Sequence, residues 1–274
     1  MRVALPWPLR GLFGVVHVLA LPGDPACKAK SDGFERAYAR ASADAEALVA
    51  GGVDGLIVEN FGSAPFVKGC AGEPIPPHQA AALVRVCAAC KVFGVPVGVN
   101  CLRNDAHTAL GIAAACGLDF IRVNVHTGAY VTDQGLIEGE AASTLRYREQ
   151  LRASRVQIWA DVLVKHATPL APLEPETATH DCVDRGLADA VIVTGAATGA
   201  AVERELLARV KAAASGRPVI VGSGLNLDNA EALLGVADAA IVGTHFKRDA
   251  DVREAVDAER VRVLVERCRP YLDA

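Results

Sequence analysis

Eight short apolar runs recur along this chain, at 13–19, 55–58, 95–102, 120–125, 157–164, 190–194, 218–222 and 239–243. Their starts lie 21 to 42 residues apart, room for a strand, a loop and a returning helix. Most are rich in valine and isoleucine without polar alternation, as expected of strands buried on both faces. Alanine-rich stretches with helical spacing separate them, near 34–50, 77–93, 106–116, 138–153, 175–185, 202–214, 227–234 and 252–267. Gly51-Gly52 offers a helix stop, and Pro77, Asp105 and Pro175 suit helix starts.

Two α/β architectures satisfy this alternation, a doubly wound sheet and a closed (β/α)8 TIM barrel. A dinucleotide-binding sheet wants GxGxxG after an early strand. The first run instead continues into HVLALPG, and Gly222-Ser223-Gly224 comes far too late. The count of eight and the length of 274 residues favour the barrel. One barrel domain is expected over residues 1–274, with residues 1–12 as an N-terminal extension carrying Trp7.

Composition narrows the function classes. With 51 % hydrophobic and 22 % charged residues the chain is no disordered segment. Its 28 basic and 32 acidic residues leave a net charge of −4, which speaks against nucleic acid as partner. Pro6 and Pro8 break the first apolar string, and no window approaches about 18 charge-free apolar residues. A cytoplasmic protein without direct membrane insertion is the expectation. Of eight cysteines, Cys87 and Cys90 form a CxxC, but in a helical stretch and with no second pair, so they read as buried thiols.

Polar residues gather behind the runs, where a barrel keeps its chemistry. Glu59 and Asn60 follow the second run, and Asn100, Arg103, Asn104 and Asp105 the third. Arg122, Asn124, Thr132 and Asp133 belong to the fourth, Asp161, Lys165 and His166 to the fifth, and Thr194 and Thr198 to the sixth. The opposite ends read GLF, GVD, GVP or GLD, tight returns without functional groups. Glycines close the last two runs, in PVIVGSG and AAIVGTHF. Gly222, Ser223, Gly224, Gly243 and Thr244 are therefore candidates to bring backbone N–H groups to a phosphate, helped by a helix beginning near Asn226. The same glycines serve equally if they only close turns. Asn104 and Thr194 complete the candidate binding set.

Alternation puts Asp161 and Lys165 on one face if the strand stays regular, with Glu59 and Arg122 on neighbouring strands. Pairing among these charges can be purely structural. Read as chemistry, Glu59, Asp161, Lys165, Arg122, Asn124 and Asp133 form a catalytic set. A carboxylate moves a proton, and Lys165 stabilises an enolate or forms an imine. Carboxylates flanking a sugar carbon also suit a glycosidic or N-glycosidic hydrolase. His17 and His166 with Glu59 and Asp161 offer donors for a divalent metal, but no spacing motif supports one; no other cofactor is expected. Phe61, Pro65, Phe66 and Tyr130, in two long loops, can close over a ligand or meet a second subunit.

The strings ENFGSAPF (59–66), NCLRNDAHTAL (100–110), FIRVNVHTGAYVTDQGLIEG (120–139), ADVLVKHATPL (160–170), TGAATG (194–199), VGSGLNLDN (221–229) and VGTHFK (242–247) together resemble the BtpA/SgcQ family. The resemblance implies a barrel of the ribulose-phosphate-binding type. It also implies family residues at Glu59, Asn60, Asn104, Asp105, Arg122, Asn124, Thr132, Asp133, Asp161, Lys165 and His166. Cys101 and His126 stand where the family more usually has apolar residues. Two function classes follow from the resemblance. One is a phosphosugar isomerase, epimerase, aldolase or lyase acting on a phosphorylated sugar or phosphoribosyl-like molecule. The other is a non-catalytic assembly or regulatory factor for a membrane complex such as photosystem I. A phosphorylated small molecule and a second copy of the chain, as a homo-oligomer, are the expected partners.

Overall fold

The computed structural model describes residues 9–29, 31–195 and 199–273; Trp7 and Thr198 lie outside the described residues. In chain order the strands are β1 (Gly11–His17), β2 (Gly55–Glu59), β3 (Val97–Asn100), β4 (Phe120–Val123), β5 (Ala129–Thr132), β6 (Gly135–Glu138), β7 (Gln157–Val162), β8 (Ala167–Pro169), β9 (Ala190–Val193), β10 (Val219–Val221) and β11 (Ala239–Val242). Eight of them close a parallel barrel in the order β1-β11-β10-β9-β7-β4-β3-β2. The helices are α1 (Gly33–Ala50), α2 (Pro77–Cys90), α3 (Ala106–Cys116), α4 (Ala141–Gln150), α5 (Pro175–His180), α6 (Arg204–Ala213), α7 (Ala230–Leu234) and α8 (Ala258–Leu272). The (β/α)8 barrel read from the sequence is the fold. Its first strand takes in Gly11 and Leu12, the last two residues assigned to the extension.

Strand parity separates two cores. Residues such as Leu12, Val58, Val99 and Ile121 pack outward against the helices. Their neighbours Phe13, Val15, Ile57, Phe120, Trp159, Ile192, Ile220 and Ile241 fill the barrel interior. At the bottom, Phe120 stacks on Trp159 with centroids 3.6 Å apart, and Phe13 meets both rings edge-on at 5.6 and 4.9 Å. Gly98 makes room for this plug: a Cβ there would lie 2.2 Å from the Phe120 ring. Large rings opposite missing side chains fill a narrow barrel without strain.

The same parity carries on to the carboxyl ends. Going up each strand by two leads from Phe13 and Val15 to His17, from Ile57 to Glu59, from Phe120 to Arg122, and from Trp159 to Asp161. The inward row thus turns from aromatic to charged within two layers.

Two features differ from the sequence reading. The stretch 129–138, expected as loop and helix start, is a hairpin of β5 and β6, and β8 joins it as a separate antiparallel sheet, β6-β5-β8. Only Tyr130 and Ile137 of the hairpin face inward, packing with Val125 and Val164, too short a pattern to announce strands. Tyr130 is therefore core, not lid. The helix expected from near Asn226 begins only at Ala230 and has five residues. Asn226 instead builds a turn, its Oδ1 accepting from the Asp228 and Asn229 N–H groups. Beyond β11, Lys247 turns away from the cavity and forms a buried ion pair with Asp44 of α1 at 2.6 Å. No helix among the described residues is long and apolar enough to cross a membrane.

Candidate active site

A cavity of about 740 Å³ opens at the carboxyl end of the barrel. At its floor Arg122 holds two carboxylates. Nε and Nη2 donate to Asp161 at 3.2 and 3.0 Å, and Nη1 donates to Glu59 Oε1 at 3.2 Å. Asn124 adds a bond to Asp161 at 2.8 Å, and Asn100 one to Glu59 Oε1 at 3.1 Å. All five side chains are buried. Asp161 is thus fully engaged and does not reach the cavity, whereas Glu59 lines it, and no described donor meets its Oε2.

Lys165 comes to the same cavity by an irregular route. β7 ends at Val162, and Leu163 takes a left-handed φ of 50°, so the regular alternation expected from Asp161 to Lys165 breaks. The backbone is caught instead by Thr194, whose Oγ1 accepts the Lys165 N–H at 3.0 Å. The amine forms no ion pair or hydrogen bond with any described residue. Burial, reinforced by the Arg122 charge, lowers its pKa to about 8.

The opposite wall is made of backbone. Gly222, Ser223 and Gly224 after β10 and Gly243 and Thr244 after β11 all line the cavity. Among the described residues no acceptor takes the N–H of Ser223, Gly224, Gly243 or Thr244. Gly222 spends its N–H on Val193 O at 2.7 Å. The Ser223 hydroxyl is also engaged, accepting from Gly195 N and donating to Ala200 O. Gly224 has φ +74°, and a Cβ there would lie 2.2 Å from Ala200 O. Among the described residues, N–H groups without acceptors thus border one open space, an arrangement suited to an anion.

Several residues named from the sequence do structural work. Asn104 turns to the Val125 backbone, accepting its N–H at 2.7 Å and donating to its carbonyl at 3.2 Å; neither it nor Thr194 lines the cavity. Asn60 clamps Leu102 in the same way, at 2.7 and 2.6 Å. Asp105 caps α3 through Thr108 N and accepts from Ile75 N. Buried backbone groups need such partners. Asp133 sits exposed at the hairpin tip, bonded to Gln134, and lines the cavity rim with His166. Phe61 and Phe66 also line it.

His17 and Arg103 line the cavity although the expected catalytic and binding sets leave them out. His17 is half-buried beside Phe61, with centroids 4.8 Å apart, and its buried Nδ1 meets no partner among the described residues. Burial, then the Lys247 and Lys165 charges, hold its pKa well below the usual value, so it stays neutral. Arg103 is 4 % exposed, donates to Lys165 O at 3.2 Å, and leaves its Nε without a partner. Both were visible as polar residues behind apolar runs; parity marks His17, and nothing in the sequence orients Arg103. No cluster of three His, Cys, Asp or Glu side chains able to hold a metal occurs among the described residues, and Arg122 already binds both Glu59 and Asp161.

A family model described as the BtpA family matches residues 9–269. The photosystem I biogenesis protein BtpA of Synechocystis sp. is 46 % identical over 257 residues, covering 93 % of this chain and 86 % of that protein. Among solved structures, a phosphoribosyl anthranilate isomerase from Thermus thermophilus superposes with a TM-score of 0.53 at 16 % identity, covering 96 % of this chain and 99 % of that one. A native KDPGal structure does so with a TM-score of 0.55 at 12 % identity, covering 100 % of both. These two structures share the barrel fold with this chain.

Proposed function

The chain belongs to the BtpA family, and on that footing we propose that it is an enzyme of carbonyl chemistry on a phosphorylated sugar or phosphoribosyl-like molecule, working as an isomerase, epimerase or aldolase. One observation carries this reading: N–H groups after β10 and β11 that no described acceptor takes share a single cavity with a lysine that no described acid pairs, its pKa lowered to about 8. Barrel enzymes commonly hold phosphate behind their last two strands. Phosphate seated there leaves the sugar extending toward Glu59 and Lys165.

Each group then has one role. Glu59, steadied through Oε1 by Arg122 and Asn100, offers Oε2 to take a proton from the carbon beside the carbonyl. Lys165, partly neutral near pH 8, either protonates the carbonyl oxygen or attacks the carbonyl carbon, releasing water and leaving an iminium. Arg122 is a positioning residue and does not titrate. Asp161, first grouped with the proton-moving carboxylates, acts here only through Arg122. The hydrolase alternative finds less support, since Arg122 binds both carboxylates and Asp161 does not reach the cavity.

The test is a thermal-shift panel of inorganic phosphate and ketose and aldose phosphates, followed by NMR in D2O for exchange of the carbon-bound proton. Binding raises the unfolding temperature by linkage. Stabilisation by at least one sugar phosphate, with proton exchange lost in Lys165→Met, supports the reading. Indifference to every phosphate sinks it.

A second reading rests on the Synechocystis relative, whose name states a role in photosystem I biogenesis. In that reading the surface acts and the cavity is idle. Complementation of a strain lacking that relative by this chain carrying Lys165→Met would favour it; failure of that variant alone would favour catalysis.

A further inference from the structure

Arg103 is the anomaly of the cavity. A guanidinium stays charged at any ordinary pH, and burying one without a counter-anion is costly. Yet this side chain is 4 % exposed, takes part in none of the ion pairs among the described residues, and keeps Nε unpartnered. Among the described residues its one side-chain hydrogen bond goes to a neutral carbonyl, Lys165 O. Arg122, by contrast, is saturated by Asp161 and Glu59. The other acid on the rim, Asp133, bonds Gln134 at the exposed hairpin tip and, like Asp161 and Glu59, attracts Arg103 only from beyond contact distance, less than burial costs it.

Position gives this guanidinium a direction. Arg103 follows β3, and the backbone cradle follows β10 and β11. In the closed order β1-β11-β10-β9-β7-β4-β3-β2, β3 and β10 stand four strands apart whichever way the ring is counted. Arg103 and Gly222–Gly224 therefore face one another across the mouth, and both line the same cavity of about 740 Å³.

We propose that the substrate carries an anionic group at each end: a phosphate on the cradle behind β10 and β11, and a carboxylate or second phosphate on Arg103. This rests on the phosphate reading above and narrows its substrate class. The second anion accepts from Nε and a terminal nitrogen of Arg103 together, the fork geometry that carboxylates and phosphates match. Lys165, whose carbonyl Arg103 holds, then lies between the two anions, where the carbon chain passes.

The experiment measures affinities of the full chain for four probes by calorimetry: inorganic phosphate, glucitol 6-phosphate, 6-phosphogluconate and fructose 1,6-bisphosphate. The wild type is expected to bind 6-phosphogluconate or the bisphosphate about tenfold or more tighter than glucitol 6-phosphate, as a charge-assisted fork should give. A gain with 6-phosphogluconate alone identifies the second group as carboxylate, and a gain with the bisphosphate alone as phosphate. Arg103→Gln abolishes the gain while leaving inorganic phosphate and glucitol 6-phosphate unchanged, which also reports an intact fold. Arg103→Lys, keeping charge without the fork, retains a smaller gain. Equal wild-type affinity for all three sugar derivatives overturns the proposal whatever the variants do, and so does a gain that survives in Arg103→Gln. The phosphate reading outlives either result, but falls together with the proposal if no probe binds.

Discussion

Arg122 meets Asp161 side-on, donating from Nε and Nη2 to the two carboxylate oxygens at 3.2 and 3.0 Å. Its remaining terminal nitrogen reaches Glu59, so one planar group satisfies acids from two other strands. A lysine carries the same charge but cannot present three donors in that plane. Arg122→Lys should therefore lose about 2–4 kcal/mol in urea unfolding, since carboxylates stay buried with fewer partners. Wild-type stability in this variant would show that charge alone holds the floor together.

Lys165 pays for its place in the mouth. Its pKa is lowered to about 8 in the folded chain, against about 10.4 in an unfolded one. Between those values the unfolded chain binds more protons, so stability rises as pH climbs through this window, and below pH 8 the full penalty applies. Lys165→Met should stabilise the protein at pH 7 by about 1–3 kcal/mol, an advantage that fades toward pH 10.5. Parallel denaturation curves at the two pH values check this. Borohydride added with a ketose phosphate should fix one adduct per chain, visible by mass spectrometry, if Lys165 forms an imine.

His17 makes the opposite demand at acid pH. Burial and nearby cations keep it neutral in the fold, while the unfolded chain takes up a proton near pH 6.5. Stability is then complete above that value and falls as pH drops below it. His17→Leu should flatten the loss between pH 6 and pH 5 by up to about 1.4 kcal/mol per pH unit. An unchanged slope would show that His126, whose pKa burial also lowers, or other groups govern acid unfolding.

The cradle offers a purely steric test. A Cβ at Gly243 would lie 2.8 Å from the His17 ring, so Gly243→Ala crowds the floor and the anion site together. Inorganic phosphate affinity should fall about tenfold or more with little change in fold, because a ring edge can shift where backbone cannot. Gly224→Ala meets the Ala200 carbonyl at 2.2 Å and demands an unfavourable φ, so it should also lower the unfolding temperature. Equal phosphate affinity in both variants would move the anion elsewhere.

The barrel was legible because its strands are sheltered on both faces, which leaves uninterrupted apolar runs that no surface strand produces. Much of the mouth was legible too: Glu59, Arg122, Lys165 and the glycines behind β10 and β11 all meet in one cavity. What escaped depends on geometry that sequence spacing does not encode. Leu163 leaves the extended conformation, so the parity argument for Lys165 reached the right place through a strand that had already ended. Asp161 and Asn104 looked available but are consumed by neighbours distant in sequence. Asp44 shares the buried side of α1 with Ala37, Ala41, Ala45 and Leu48; a lone acid on that face signals a buried cation, though not that Lys247 supplies it.

The small sheet beside the barrel has a bearing on how the site can change. Ala167 pairs with Thr132 only two residues beyond Lys165, and Thr194 grips the Lys165 N–H from the other side. The peptide carrying the amine is thus moored to a hairpin on one flank and a barrel strand on the other. Changes to the tip at Asp133 and Gln134 should therefore alter the rim of the cavity without shifting the peptide that carries the amine.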